Sequence, residues 1–339
     1  MRCKGWKMID HTSCDAGGVS VGTAEAWRGI DWSRHLGEVT VDGRRVKYVD
    51  HGDGPPLLLV HGMAGSWETW LANIPALSES HRVIAVDLPG FGGSDPLPEA
   101  DTFDGYVRTL EVLLDELAIP SVAVVGHSLG GLVALSFAAA LPERVRCLVL
   151  VSGGGAELSA ARLRAIRVVF WCLAAVLTIP GAHRLLTTPA VVRAVTKPAI
   201  HSGRDVPVEL LRRMMPRRVG PGFMDAVSRG SAQLAALEPR RITAPVLLVW
   251  GRHDRILPVA TGQQLDRSLL QSRLVVMEEA GHCAMFEQPE EFLALATNFL
   301  DMQLIDRKGP ATDRASARSW EAPRAEGDAA NRYGDGNAG

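Results

Sequence analysis

Short apolar runs rich in β-branched and aliphatic residues recur along the chain, and glycine, proline or polar residues bound each of them. Runs of roughly four to eight such residues are typical of buried strands. They fall at residues 38–41, 45–49, 57–60, 82–86, 121–125, 145–151, 245–250 and 273–277. The first two runs alternate around Asp42-Gly43, a hairpin turn signal, and therefore predict an antiparallel pair.

Segments with helical periodicity separate most of the later strands. The sequence predicts a helix capped by Ser66 and further helices at about 102–117, 129–141, 260–270 and 289–300. Strands that alternate with helices form parallel sheets, because each crossover returns the chain in the same direction. We therefore expect an α/β fold with a mostly parallel, eight-stranded sheet flanked by helices.

The interval between the strands at 145–151 and 245–250 is too long for a simple crossover. Residues 154–238 are predicted to form an inserted helical cap, and the core to comprise 36–153 and 239–304. Prolines divide the cap into helices at 160–179, 188–197, 208–215 and 222–237. The segment Val168 to Ile179 is apolar nearly all round, which predicts burial on more than one side.

Both ends of the chain lack a sustained hydrophobic period. We expect residues 1–35 to be an extension that is poorly ordered or laid over the surface, and residues 305–339 to be a disordered tail. The N-terminal stretch has no apolar core of a signal peptide, which favours a cytoplasmic protein. The longest apolar run, 168–179, falls short of the roughly 20 residues of a spanning helix, so no transmembrane segment is predicted.

Composition adds one contrast to this picture. The 339 residues carry a net charge of -2, which gives no reason to expect a nucleic-acid partner, whereas residues 155–235 carry a net charge of +8. A basic, apolar cap would suit an anionic or lipid-like substrate, or peripheral contact with an anionic membrane surface. The solvated face of an ordinary helical lid explains the charge equally well.

The pentapeptide Gly126-His127-Ser128-Leu129-Gly130 joins a predicted strand to a predicted helix. A serine at such a turn is lifted out of the sheet, and the flanking glycines allow strand and helix backbones to approach closely. The stretch Gly18 to Gly22 matches the same Gly-x-Ser-x-Gly pattern around Ser20, but no strand precedes it. Ser128 is therefore the candidate nucleophile, and it needs a base and an acid.

Two residues follow later strands at the expected carboxyl edge of the sheet. Asp254 lies just beyond the strand at 245–250, and His282 follows the strand at 273–277 across a short glycine-containing loop. An imidazole would take the proton of Ser128, and a carboxylate would orient that imidazole. Glu157 is the reserve acid. The order serine, aspartate, histidine is the one associated with the α/β-hydrolase fold.

From about residue 37 to 302 the chain resembles the serine-hydrolase, esterase- and lipase-like branch of the α/β-hydrolase superfamily. The motifs that carry this resemblance are His61-Gly62, residues 87–94, Gly126 to Gly131, Gly251 to Asp254 and Gly281-His282. The resemblance implies an α/β-hydrolase fold and acyl transfer through Ser128, with the backbone N–H groups of Met63 and Leu129 as oxyanion donors. It implies neither a metal nor an organic cofactor.

Other polar residues in these motifs have structural interpretations. Asp87 and Ser94 fit a tight transition from strand to loop, and His61 and His127 fit packed histidines that support their loops. The five cysteines have no metal-like spacing, so free thiols are expected.

Hydrolysis of a carboxylic ester, on a small and hydrophobic substrate, is the leading prediction. Part of the 168–179 segment would line its acyl pocket. A serine at position 128 excludes the haloalkane dehalogenases and epoxide hydrolases, which use an aspartate there. Hydrolases of carbon–carbon bonds in meta-cleavage products remain an alternative, although Met63-Ala64-Gly65 and His127 depart from their pattern. A non-catalytic ligand-binding protein on the same fold is disfavoured because all three catalytic positions are filled.

Overall fold

The computed structural model of the protein describes residues 23–98, 103–154, 160–177, 179, 188–201, 206–214, 230, 233 and 237–305. Its centre is an eight-stranded sheet. The strands are β1 (Leu36–Val41), β2 (Arg44–His51), β3 (Pro56–Val60), β4 (Arg82–Val86), β5 (Val122–His127), β6 (Val145–Val151), β7 (Val246–Gly251) and β8 (Ser272–Met277).

The strands are arranged in the order β1-β2-β4-β3-β5-β6-β7-β8. Strand β2 runs antiparallel to both of its neighbours, and every pair from β4 to β8 is parallel. The hairpin between β1 and β2 turns at Asp42 and Gly43, which both have positive φ angles. The predicted fold class, a mostly parallel eight-stranded sheet opened by an antiparallel hairpin, is confirmed.

Helices connect and cover the strands. They are α1 (Ile74–Leu77), α2 (Asp104–Glu116), α3 (Leu129–Ala140), α4 (Ala160–Leu177), α5 (Pro189–Thr196), α6 (Val208–Met214), α7 (Val259–Ser268), α8 (Ala284–Glu287) and α9 (Pro289–Ile305).

The helix predicted after Ser66 is divided in two. The Ser66 side chain caps a 3-10 helix, Trp67–Trp70, by accepting the N–H of Glu68, and α1 begins only after a turn. Pro75 lies in the first turn of α1, where its missing N–H would leave a continuous helix without one of its bonds.

Successive residues of each strand enter two separate hydrophobic cores. Leu58 and Val60 of β3 belong to one core, whereas Leu57 and Leu59 belong to the other. The alternation follows from the two-residue period of a strand, and it makes the runs apolar throughout because both faces are covered. Helices α2, α3 and α7 cover the first face, and α1, α8 and α9 cover the second.

Parts of the predicted extension and cap also pack against the second core. Trp27, in a 3-10 helix at Thr23–Gly29, is only 4% exposed, and Val192 and Leu211 of the cap are fully buried. Residues 1–22, most of the predicted helix at 222–237 and residues 306–339 lie outside the described residues. The domain boundaries remain predictions.

The exposure of helix α4 contradicts the prediction that the 168–179 segment is buried on more than one side. Val168 is 59% exposed, Val169 61% and Trp171 62%. Hydrophobicity all round the helix gave no indication of which side lacks a covering element. Within the described residues, no helix is both long enough and apolar enough to cross a bilayer.

Candidate active site

Ser128 sits between β5 and α3 in a sharp turn, with φ at 52° and ψ at -113°. Its carbonyl oxygen accepts the N–H groups of Gly131 and Gly154 at 3.0 and 2.8 Å. A Cβ on Gly126 would lie 2.6 Å from the carbonyl oxygen of Gly130, and one on Gly130 would lie 2.2 Å from that of Val60. Glycine is required at both flanks because the backbones meet there.

Asp254 and His282 form a buried pair beyond the ends of β7 and β8. The Nδ1 atom of His282 lies 2.8 Å from Oδ2 of Asp254, while Oδ1 accepts the N–H groups of Ile256 and Leu257 at 2.9 and 2.8 Å. With its proton on Nδ1 facing the carboxylate, the neutral imidazole has a basic Nε2. The carboxylate therefore fixes both the tautomer and the orientation of the ring.

Two opposing effects act on the pKa of Asp254. Burial raises this pKa, but the charge and hydrogen bond of His282 and the amide of Leu257 outweigh burial and bring it below its ordinary value. Asp254 is consequently a carboxylate at neutral pH, as a residue that stabilises an imidazolium has to be.

His127 brings the Ser128 turn and the His282 loop together. Its Nε2 lies 3.0 Å from the carbonyl oxygen of His282, and the two rings are 4.9 Å apart between centroids. Because a carbonyl only accepts, Nε2 of His127 donates. Burial, together with the nearby charge of His282, lowers the pKa of His127 to about 3, so the ring is neutral. The contacts of His127 therefore hold the Ser128 turn next to the loop that carries His282.

His61 orients the first predicted oxyanion donor. The Leu88 N–H donates to Nε2 of His61 at 3.0 Å, so the ring proton is on Nδ1, which donates to the Gly62 carbonyl at 2.7 Å. In a planar trans peptide the N–H points opposite to the C=O, which directs the Met63 N–H away from His61. Burial lowers the pKa of His61 to about 4 and keeps it neutral.

The loop that carries Met63 lies directly against Ser128, the predicted nucleophile. A Cβ on Gly62 would be 3.1 Å from Cβ of Ser128. The second predicted donor, the N–H of Leu129, belongs to the first residue of α3, and first-turn N–H groups have no partner within their helix. A helix N-terminus also favours negative charge. Both predicted donors thus adjoin Ser128.

Asp87 and Ser94 make the structural contacts expected of them. The Asp87 carboxylate accepts the N–H groups of Trp67 and Gly93 at 2.7 and 2.8 Å, and the Ser94 hydroxyl donates to the Asp87 carbonyl. Burial raises the pKa of Asp87 to about 6. These bonds attach the loop after β4 to the segment that follows Met63.

Sequence reasoning missed a buried carboxylate that joins the cap to the His282 loop. Glu287 accepts the N–H of Gly281 at 2.7 Å and the N–H of His201 at 2.6 Å, and the His282 N–H donates to the Ala199 carbonyl at 2.8 Å. The ring of His201 also stacks on that of His253 at 3.7 Å. The available signal was a lone charge, Glu287, at the end of the apolar run Cys283 to Phe286.

Several other predicted features have a plain outcome. Glu157, the reserve acid, lies outside the described residues. Cys147, Cys172 and Cys283 are free thiols. In the part of the chain that the structure describes, no group of three or more His, Cys, Asp or Glu is placed to hold a metal ion.

Known proteins resemble this chain over most of its length. The model of the alpha/beta hydrolase family matches residues 57–295. The dihydrolipoyllysine-residue acetyltransferase component of the acetoin cleaving system of Pseudomonas putida is 31% identical over 74% of this chain, which spans 65% of that protein. The 2-hydroxy-6-oxo-6-phenylhexa-2,4-dienoate hydrolase of Comamonas testosteroni is 30% identical over 75% of this chain and 91% of its own length.

A solved structure agrees with the same assignment. The malate-bound thermophilic esterase from Thermogutta terrifontis superimposes with a TM-score of 0.67 at 26% identity, covering 79% of this chain and 98% of that one. The family match extends from β3 to within α9 and includes every strand of the parallel part of the sheet. The chain therefore belongs to the alpha/beta hydrolase family.

Proposed function

We propose that this protein is a serine hydrolase that cleaves carboxylic esters, with Ser128, His282 and Asp254 as its catalytic triad. The observation that carries the proposal is the 2.8 Å bond between His282 and the ionised Asp254, on a loop that His127 joins to the Ser128 turn. A base oriented by a carboxylate, on a loop joined to a serine in a strained turn, can activate the serine hydroxyl.

The reaction proceeds in two acyl transfers. Nε2 of His282 takes the Ser128 proton as Oγ attacks the ester carbonyl, and the N–H groups of Met63 and Leu129 stabilise the resulting oxyanion. The tetrahedral intermediate collapses, and His282 gives its proton to the departing alkoxide. Water, deprotonated by His282, then attacks the acyl-enzyme. The carboxylic acid leaves, and Ser128 regains its proton.

Apolar groups beside the oxyanion site favour a hydrophobic acyl chain. A Cβ on Gly230, a residue of the cap, would lie 3.6 Å from Leu129 and 3.9 Å from both Leu132 and Phe103. These three side chains, rather than the exposed part of α4, are our candidates for the acyl lining. We further propose that the substrate is a small hydrophobic ester, that the enzyme works in the cytoplasm, and that its basic cap contacts membranes peripherally.

Carbon–carbon hydrolysis is the second candidate, because the Comamonas testosteroni relative is named as a dienoate hydrolase. The two reactions share a triad and a helical cap. The residues Met63-Ala64-Gly65 and His127 argue for the ester, since the meta-cleavage hydrolases typically carry Gly-Pro-Gly and asparagine at these places.

A fluorophosphonate probe tests the nucleophile. We expect wild-type protein and Ser20→Ala to be labelled and Ser128→Ala to remain unlabelled. Ser20→Ala is the matched control because Ser20 lies in the same Gly-x-Ser-x-Gly pattern. Labelling of intact, folded Ser128→Ala would overturn the assignment.

Rates on p-nitrophenyl esters of increasing chain length test the reaction. Ser128→Ala and His282→Ala should each lower kcat by about 10⁶, and Asp254→Asn by about 10⁴, because the asparagine favours the wrong tautomer of His282. A parallel assay with a vinylogous diketone identifies the second candidate if that substrate alone is cleaved. Preference for acetate only would exclude a hydrophobic acyl site.

A further inference from the structure

Helix α4 presents an apolar face to solvent over most of its length. At 3.6 residues per turn, Ala161, Ala165, Val168, Cys172 and Ala175 share one side of the helix, and all five are exposed. Trp171 and Val169 widen this face on its two flanks, and both are more than half exposed. Exposed apolar surface of this extent marks a contact with another molecule.

The sequence that carries this face is basic. Residues 158–204 contain six arginines, one lysine and no aspartate or glutamate. Arg164 is exposed on the face itself, in the first turns of α4, and Lys197 is exposed at the end of α5 beside the exposed Val195. The face is therefore complementary to a surface that is apolar inside and anionic outside.

A bilayer with anionic headgroups has that composition. Tryptophan favours the level of the headgroups, and arginine and lysine gain from anionic lipids within a Debye length of the surface. A second copy of this chain fits less well, because two copies would bring the same cationic segments together. We propose that α4 docks the protein on an anionic lipid surface, lying in the plane of the interface with Val168 and Trp171 inserted.

The position of α4 relative to the core gives this docking a defined orientation. Nη1 of Arg162 donates to the carbonyl oxygens of Ile256 and Arg255 at 2.7 and 3.2 Å. These residues follow Asp254 directly, so the N-terminal end of α4 is bonded to the loop of the triad's acid. Docking would hold the active-site loops close to the lipid surface, whatever reaction takes place there.

Sedimentation of the full-length protein with large unilamellar vesicles tests the docking. We expect binding to vesicles of phosphatidylcholine mixed with phosphatidylglycerol to be at least about tenfold tighter than to phosphatidylcholine alone, and to weaken as salt is raised. Ser128→Ala should bind like wild type, which separates docking from hydrolysis. Equal binding to both vesicle types, or none to either, would overturn the proposal.

Charge-introducing variants locate the contact. Trp171→Glu and Val168→Glu should each weaken binding to the anionic vesicles by about tenfold, and Arg164→Glu by about five- to tenfold. Leu270→Glu and Leu36→Glu are matched controls, because both leucines are similarly exposed outside the cap, and they should bind like wild type. Unchanged binding of Trp171→Glu contradicts the proposal. So does a wild-type dimer in light scattering that becomes monomeric in Trp171→Glu.

Discussion

Ser128 holds a backbone conformation that glycine adopts far more readily than serine. Its φ of 52° with ψ at -113° lies outside the regions that a Cβ permits without strain. Conformations of this kind cost on the order of 1–3 kcal/mol and persist where surrounding contacts enforce them. Here the carbonyl bonds to Gly131 and Gly154 enforce it.

Removing the side chain should therefore stabilise the fold. Ser128→Gly is expected to exceed Ser128→Ala in free energy of unfolding by about 1 kcal/mol, equivalent to a Tm about 2–4 °C higher. Both variants lack the hydroxyl, and only the alanine retains a strained Cβ. Denaturant and thermal unfolding measure the difference. An alanine variant as stable as the glycine variant would show that the turn is unstrained.

The sequence was sufficient to nominate the site residues but not their supports. Ser128, Asp254 and His282 follow strand ends, which can be located from apolar runs alone. The bond from His127 to the His282 carbonyl joins residues 155 positions apart. No local pattern encodes such a contact, because it depends on how two loops pack.

At the level of elements, α3 lies so close to β3 that one methyl group would separate them. A Cβ on Gly130 would lie 2.2 Å from the Val60 carbonyl and 2.5 Å from that of His61. Both obstacles are backbone atoms, so no side-chain rotation relieves the clash. The separation also sets the distance between the Met63 loop and Ser128.

Gly130→Ala should destabilise the protein by about 3 kcal/mol, the upper end of the usual effect of overpacking. Gly29→Ala is the matched control, because nothing lies within 4 Å of a Cβ at that position, and it should change stability by less than about 0.5 kcal/mol. Urea unfolding of the two variants measures both. Equal stabilities would contradict the close approach.

The strands and helix α4 were predictable from the sequence to different degrees. The strands were predictable because both of their faces are apolar. The exposure of α4 was not, since periodicity reports which residues are apolar and not which neighbours cover them. Trp27 is likewise buried in a segment without any period, where the tryptophan itself was the sole indication of packing.

Over the whole molecule, buried titratable groups make stability depend on pH. Burial lowers the pKa of His61 to about 4 and of His127 to about 3. Below about pH 6.5 the unfolded chain therefore binds more protons than the folded chain, and the free energy of unfolding falls on acidification. Asp87 acts in the opposite sense. Its pKa is raised to about 6, so its contribution to the free energy of unfolding is lost as pH rises from about 4 to 6.

Near pH 5, with His61, His127 and Asp87 taken together, the unfolded chain binds about one proton more than the folded chain. These three groups alone should therefore make the free energy of unfolding fall by about 1.4 kcal/mol for each pH unit of acidification. Asp87→Asn removes the opposing group and should about double that slope. Urea unfolding between pH 4.5 and 6.5 measures both slopes. A stability that is constant over this range would be inconsistent with the buried neutral histidines.

One segment of the cap, residues 199–201, is bonded to Glu287 and to the loop of His282. Ala199 and His201 are bonded to the loop of His282, and His201 also stacks on the neighbour of Asp254. If residues 199–201 moved away together with the rest of the cap, the His282 loop would lose these contacts beside Asp254. Segment 199–201 is thus bonded directly to the loops of His282 and Asp254, and any displacement of this segment would break these contacts.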